Sequence, residues 1–483
     1  MSITYNNFIN GKWEPSLSGK TYKSINPANI EEVLGHFQTS TSEDIEKAIK
    51  AAKDAFADWS ATPAPKRGNV IFNLIQLLEN NKEDLATVIT KEVGKSFREA
   101  NGEVDKTIEA MKQFSGEATR IAGETIPAHA DGVFAYTIRE PLGVVGVISP
   151  YNFPLGIGIW KIAPAIIAGN TVVFKPASNT SLISIKIMEL FKKAGVPAGV
   201  INMVTGSGSV IGSSLGKHPD LKAISFTGST DVGFALHKQV TERGGRMQAE
   251  MGGKNPSIVL EDANLDETVE NLVQSSFYDN GQRCTGTSRV IVLRSIAEEL
   301  IDKLKKRTNK IKVGNGFQAD VDNGPVIDEN QLNKFLYYVN SALEEGATLE
   351  FGGKRETRKD MEKGYFVVPT IFSNVTRDMA IYHEEVFAPI ISITVVDSYE
   401  EAIDLANDNN FGLSSTIYTN DLSKSMSFIK RIESGVTHVN VPSNYFENQF
   451  PFGGKKSSSI GPREQGSTAL DFWLDYKTVY LKG

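Results

Sequence analysis

From Gly143 onward, apolar runs of strand length alternate with stretches of helical periodicity, and this alternation narrows the possible folds more than any other feature. The runs lie at 144–148, 171–174, 200–204, 223–226 and 257–260, and the helical stretches include 181–194 and 231–240. Strands separated by helices at this spacing form βαβ units, so a parallel, doubly wound sheet is expected. A second strand–helix series runs from Asp266 to about Val441, and the chain closes on a strand at 478–481. With 483 residues there is room for two or more domains.

The earlier part of the chain is mostly helical. Ile45, Ala48, Ile49, Ala52, Phe56 and Trp59 recur at helical spacing, with Ser40 and Glu43 expected as the capping box. The pattern stays helical to about residue 121, through Leu77, Leu78 and Leu85, and turns strand-like over 132–140. The apolar run 387–396 contains Pro389 and predicts a buried strand, being too short to span a bilayer. A net charge of −7 argues against nucleic acid or an anionic membrane as partner. The first residues lack the basic and apolar segments of a signal peptide, so a cytoplasmic location is expected.

Cys284 is the sole cysteine, which excludes an internal disulfide and a cysteine-rich zinc site; no metal is expected. It follows Gly281-Gln282-Arg283, flanks ill suited to a core, and Arg283 with a nearby helix end should favour its thiolate. Glu250 precedes the Gly252-Gly253 turn at the end of the strand series, where ligands collect in doubly wound sheets; a solvated carboxylate is the alternative. Asn152, between Pro150 and Pro154, is either a turn residue or an amide donor at a strand's C-terminal end. Gly228-Ser229-Thr230-Asp231-Val232-Gly233 follows one strand and opens a helix, which lets backbone amides approach a phosphate. Gly206-Ser207-Gly208, with Gly212 beyond it, also departs from the usual dinucleotide fingerprint.

Together these motifs resemble the aldehyde dehydrogenase superfamily over nearly the whole chain. The likeness runs from Phe8-Ile9-Asn10-Gly11-Lys12-Trp13 through Lys175-Pro176, Phe226-Thr227-Gly228-Ser229, Glu250-Met251-Gly252-Gly253-Lys254 and Gly281-Gln282-Arg283-Cys284 to Glu384-Glu385-Val386-Phe387-Ala388-Pro389 and Pro451-Phe452-Gly453-Gly454. The resemblance implies an α/β fold in three parts. A Rossmann-like NAD(P)-binding domain takes 1–121 and 142–252, a catalytic α/β domain 253–465, and a small β element at 122–141 and 466–483 pairs subunits into homodimers or homotetramers.

The resemblance also assigns roles. Cys284 is the nucleophile, and the Asn152 amide with the Cys284 N–H holds the oxyanion. Glu250 activates the water that hydrolyses the thioester. Lys175 and Glu385 bind ribose hydroxyls, Phe387 packs by the nicotinamide ribose, and Ser229 with its helix start holds the pyrophosphate. Ile148, Ser149, Gly208, Gly212, Phe226, Thr227, Gly228 and Val232 complete the expected cofactor site. Ser178 stands where many NAD-specific relatives place a glutamate, so NADP is expected to be accepted as well as NAD. Ala388 replaces the usual glycine, and the run Lys456 to Glu464 replaces the commoner Ser-Gly-x-Gly-Arg-Glu.

The small-molecule aldehyde is less defined. The run from Arg283 to Arg289 and the serines at 457–459 resemble the α-ketoglutaric semialdehyde dehydrogenase subgroup. Arg283 would then hold a substrate carboxylate, or else cap the helix ending near Asn280. Acid-semialdehyde relatives often carry a second arginine where this chain has Trp160. Tyr151, Trp160, Phe277, Tyr278, Tyr445 and Phe446 either line an aromatic-aldehyde pocket or belong to the core. A CoA-acylating reductase typically lacks a base at the Glu250 position, and a non-catalytic relative is free to lose Cys284 or Glu250; both residues are present.

Overall fold

The structure, a computed structural model, describes residues 3–483. The expected alternation folds into two large sheets. The first has eight strands, in the spatial order Ser459–Ile460, Arg246–Glu250, Leu221–Thr227, Val144–Ile148, Thr171–Lys175, Ile201–Met203, Asn7–Ile9 and Lys12–Glu14. Its five central strands run parallel. Val144–Ile148 is buried throughout, because helices cover both faces of a parallel sheet. In chain order the strands progress outward from Val144–Ile148 on one side and then resume on its other side at Leu221–Thr227. That reversal opens a crevice at the C-terminal ends of these two strands.

The second sheet has seven strands, from the antiparallel edge Thr348–Phe351 through Thr370–Ser373, Ile390–Val396, Thr287–Leu293, Asn255–Val259 and Ser414–Tyr418 to Val436–Val439. Pro389 stands just outside the Ile390–Val396 strand, where its missing N–H costs no ladder bond. Val133–Pro141 and Leu474–Lys482 pair antiparallel as a separate two-stranded ribbon. Among the described residues no helix is long and apolar enough to cross a membrane.

Three expectations need correction. The helix Ser42–Ala61 is capped one residue later than expected: the Asp44 carboxylate accepts the Thr41 N–H at 2.9 Å, while the Ser40 hydroxyl is taken by Asn7 at 2.8 Å. The strand Ser459–Ile460 falls within the stretch expected to be catalytic, yet it pairs with Arg246–Glu250 on the edge of the first sheet. A three-stranded sheet of Thr4–Tyr5, Asn29–Gln38 and Thr21–Asn26 was not expected at all. Its strands are short or half-exposed, so they carry little apolar alternation.

Candidate active site

The crevice at the strand reversal deepens into a cleft of about 590 Å³. Ile148, Ser149, Lys175, Ser178, Gly208 and Gly212 line it, together with Phe226, Thr227, Gly228, Ser229 and Val232. Glu385 and Phe387 reach in from the second sheet's side, and Tyr151, Asn152 and Cys284 also contribute.

The wall is polar where phosphates and hydroxyls would need donors. The Ser149 and Thr227 hydroxyls are buried and have no hydrogen-bond partner among the described residues. A Cβ on Gly208 would stand 3.7 Å from Lys175 Nζ, and one on Gly212 would meet open space. Burial alone lowers the Lys175 pKa to about 8. Ser229 caps the Thr230–Glu242 helix without spending its side chain on the cap. A cleft of this volume with free donors and an open helix start fits a dinucleotide. Glu385 is fixed by the Gly253 N–H at 2.8 Å, and a Cβ on Gly252 would come within 2.6 Å of its carboxylate, so a larger residue there would displace Glu385. Burial raises the Glu385 pKa.

Cys284 sits on a loop whose approach is strained. Asp279, Asn280 and Gly281 occupy the left-handed region consecutively, at φ of 52°, 57° and 65°. Asn255 Nδ2 holds the Cys284 and Gly286 carbonyls at 2.7 and 2.8 Å, and Ser443 holds the Thr285 carbonyl at 2.8 Å. Asn152 Nδ2 donates to the Gln282 carbonyl at 2.8 Å, which brings the amide to the same loop. Burial, then Glu385 and Glu250, push the Cys284 thiol up to about 12, against the backbone N–H groups of Thr285 and Cys284.

Arg283 interacts favourably with the Cys284 charge but does not offset burial and the two carboxylates. Its Nε is held by Asp279, and its guanidinium lies 5.3 Å from the Phe153 ring. Lys95 approaches the same ring at 3.4 Å and pairs with Glu103 at 2.9 Å. Burial opposes the Asp279 charge, but Arg283 and Lys95 outweigh it and hold that carboxyl below its ordinary value. The helix-end reading of Arg283 is the nearer one, although 24% of its side chain remains exposed.

The expected aromatic wall divides. Trp160 and Phe446 meet edge to face at 6.5 Å, and Phe446 meets Phe452 likewise at 5.9 Å. Tyr151 instead packs on Phe387 in the dinucleotide-sized cleft and donates to Gln282 at 3.3 Å. Tyr278 is not brought to the site: its hydroxyl accepts from Arg307 at 3.2 Å and its ring packs beside the second sheet's core. Phe277 is fully buried and Tyr445 is exposed.

The Cys284 thiol, the Asn152 amide and the buried Glu385 carboxylate thus line one dinucleotide-sized cleft. The sequence profile of the aldehyde dehydrogenase family matches residues 13–479. The chain belongs to the aldehyde dehydrogenase family. It is 44% identical to the α-ketoglutaric semialdehyde dehydrogenase of Bacillus subtilis strain 168, over 99% of this chain and 98% of that one. The malonate-semialdehyde dehydrogenase of Halalkalibacterium halodurans is 40% identical, over 98% and 97%. Betaine aldehyde dehydrogenase of Staphylococcus aureus in complex with NAD+ superposes with a TM-score of 0.97 at 35% identity, covering 99% of this chain and 95% of that one.

Membership in this family makes the protein an aldehyde-oxidising enzyme and directs attention to Glu250. Burial and then Glu464 raise its pKa well above the ordinary value, while Ser459, Lys161 and Arg463 oppose them. Lys161 pairs with Glu464 and donates to Ser225 at 2.8 Å; Trp160 Nε1 donates to Glu464 at 3.1 Å. Sequence reading missed Lys161, Asp279 and Phe153, and gave Ser459 and Glu464 no place in the site. Lys161, a charge inside the otherwise apolar Pro154–Ala168 helix, was the available signal.

Proposed function

We propose that this protein oxidises an acidic semialdehyde of the α-ketoglutaric type to the dicarboxylate, using NAD+ or NADP+ and a thioester on Cys284. The observation that carries the reading is the shared cleft: Cys284 and Asn152 line the same cavity as Lys175, Ser178 and the Gly228-Ser229 helix start. In this reading Lys175, Glu385, Ser229 and the buried Ser149 and Thr227 hydroxyls hold the dinucleotide, which supplies the hydride acceptor when bound.

The protein's own groups account for the remaining chemistry. Cys284 gives up its thiol proton to water, its sulfur bonds to the aldehyde carbon, and the resulting oxyanion takes hydrogen bonds from Asn152 Nδ2 and the Cys284 N–H. The Asn152 amide has two hydrogens and spends one on Gln282, so one remains for the oxyanion. After oxidation to the thioester, Glu250 takes a proton from the attacking water, the C–S bond breaks and the acid leaves. The names of the 44% and 40% identical relatives support a substrate with a second acidic group. Arg283, whose side chain is partly exposed, is the cation nearest Cys284 in sequence for such a group.

We further propose that residues 1–121 and 142–252 carry the cofactor, 253–465 the catalytic loop, and 122–141 with 466–483 the subunit contacts of a homo-oligomer in the cytoplasm. The aromatic chain of Trp160, Phe446 and Phe452 favours a second reading, oxidation of an aromatic aldehyde. Purified protein assayed for NADH and NADPH formation separates the two. α-Ketoglutaric semialdehyde should exceed benzaldehyde in kcat/KM without added CoA. Benzaldehyde in the lead would replace the first reading with the second, and turnover only with CoA would remove hydrolysis.

A further inference from the structure

Glu250 ends its strand directly opposite Ser459, its partner across the antiparallel pairing with Ser459–Ile460. Ser459 Oγ donates to Glu250 Oε2 at 2.5 Å and accepts the Gly454 N–H at 2.6 Å. That N–H occupies the acceptor side of the hydroxyl, so the hydroxyl hydrogen faces the carboxylate. The other oxygen, Oε1, is buried with no hydrogen-bond partner among the described residues. A Cβ on Gly453 would lie 2.6 Å from Oε1 and 2.9 Å from Arg463 Nη1, so the glycine leaves room between that oxygen and the guanidinium. A buried carboxylate oxygen left without a donor is costly unless it has work to do.

We propose that Ser459 is the positioning residue of the general base: it pins one oxygen of Glu250 and leaves the other open to the hydrolytic water. The proposal rests on the reading of Glu250 as that base. In the step it serves, the water oxygen forms the new C–O bond and its proton passes to Glu250 Oε1. The C–S bond breaks, releasing the Cys284 thiolate and the carboxylic acid.

The charged and titratable groups facing Glu250 are Glu464, Lys161 and Arg463, with Cys284 beyond. Glu464 opposes the Glu250 charge, and Lys161 and Arg463 favour it. Ser459 adds a neutral donor that favours the ionised form. It comes from the Lys456 to Glu464 run, which departs from the family's commoner pattern. Removing the hydroxyl should therefore move the acidic limb of thioester hydrolysis to higher pH.

The test follows acyl-enzyme formation by the NAD(P)H burst and acyl-enzyme decay by mass spectrometry, across pH, with the best aldehyde of the panel above. Ser459→Ala should keep the burst amplitude and KM, and its decay limb should rise by about one pH unit, roughly tenfold slower decay below the limb. Ser459→Thr, which keeps the hydroxyl, should follow the wild type. An unchanged limb in Ser459→Ala overturns the proposal. So does loss of the burst in both Ser459→Ala and Ser459→Gly, which would mark a scaffolding role. Glu250→Gln provides the separate control: it should form the acyl-enzyme and stall, and wild-type decay there would remove the base itself.

Discussion

At neutral pH the Cys284 sulfur keeps its proton, because burial and the Glu385 and Glu250 carboxylates place its pKa at about 12. Since the raised pKa favours the thiol, the thiolate fraction grows as pH rises towards that value. Iodoacetamide labelling of the cofactor-free protein should be slow at neutral pH and climb about tenfold per pH unit. A labelling plateau near neutrality would contradict this. Cys284→Ser should lose both labelling and aldehyde oxidation; retention of more than a small residual turnover would end the nucleophile assignment. Cofactor choice is also decided by single residues. Ser178 Oγ donates to the Gly206 carbonyl at 2.9 Å, so its proton is spent and Lys175 is left as the cation available to a 2′-phosphate. NADP+ should be accepted, and Ser178→Glu should lower the NADP+/NAD+ ratio of kcat/KM by about tenfold or more. A wild type unable to use NADP+ would refute the reading. The serine was legible in the sequence, but its bond to Gly206, 28 residues away, was not.

At the scale of elements, the loop that carries Cys284 is tied to the start of the Pro154–Ala168 helix. Glu103 accepts the Leu155 and Gly156 N–H groups at 3.0 and 3.2 Å, and Lys95 links Glu103 to Asp279. Asp279 in turn holds Arg283 beside Phe153. Substituting Arg283 alone would leave Asp279 as a buried charge without its main partner, which destabilises strongly. The informative variant is Arg283→Ala with Asp279→Asn. If Arg283 also holds the substrate carboxylate, this variant should lose roughly 10- to 150-fold in kcat/KM on succinic or α-ketoglutaric semialdehyde. An unbranched alkanal should change little by comparison. Equal losses on both classes would make Arg283 purely structural and give the aromatic-aldehyde reading the lead. Sequence places Arg283 next to Cys284; only the left-handed turn at 279–281 folds the Asp279 carboxylate back onto it.

For the whole molecule, the ribbon of Val133–Pro141 and Leu474–Lys482 carries large exposed apolar side chains. Phe134, Tyr476, Tyr480 and Leu481 are each more than half exposed on it. A two-stranded ribbon with such a surface is marginal in water and gains stability from a second subunit. Truncation after Trp473 should therefore reduce the assembly seen by sedimentation velocity while leaving a folded subunit. An unchanged sedimentation coefficient per subunit mass would place the contacts elsewhere. The amino-acid order by itself determined the two strand–helix series and the chemical identities of Cys284, Asn152 and Glu250, because the periodicity and turn preferences behind these features are local. Tertiary structure decided the charge states and partners. Glu250 meets Ser459 from 209 residues away and Lys161 meets Glu464 from 303, and a pKa depends on the burial and neighbours that such long-range packing supplies.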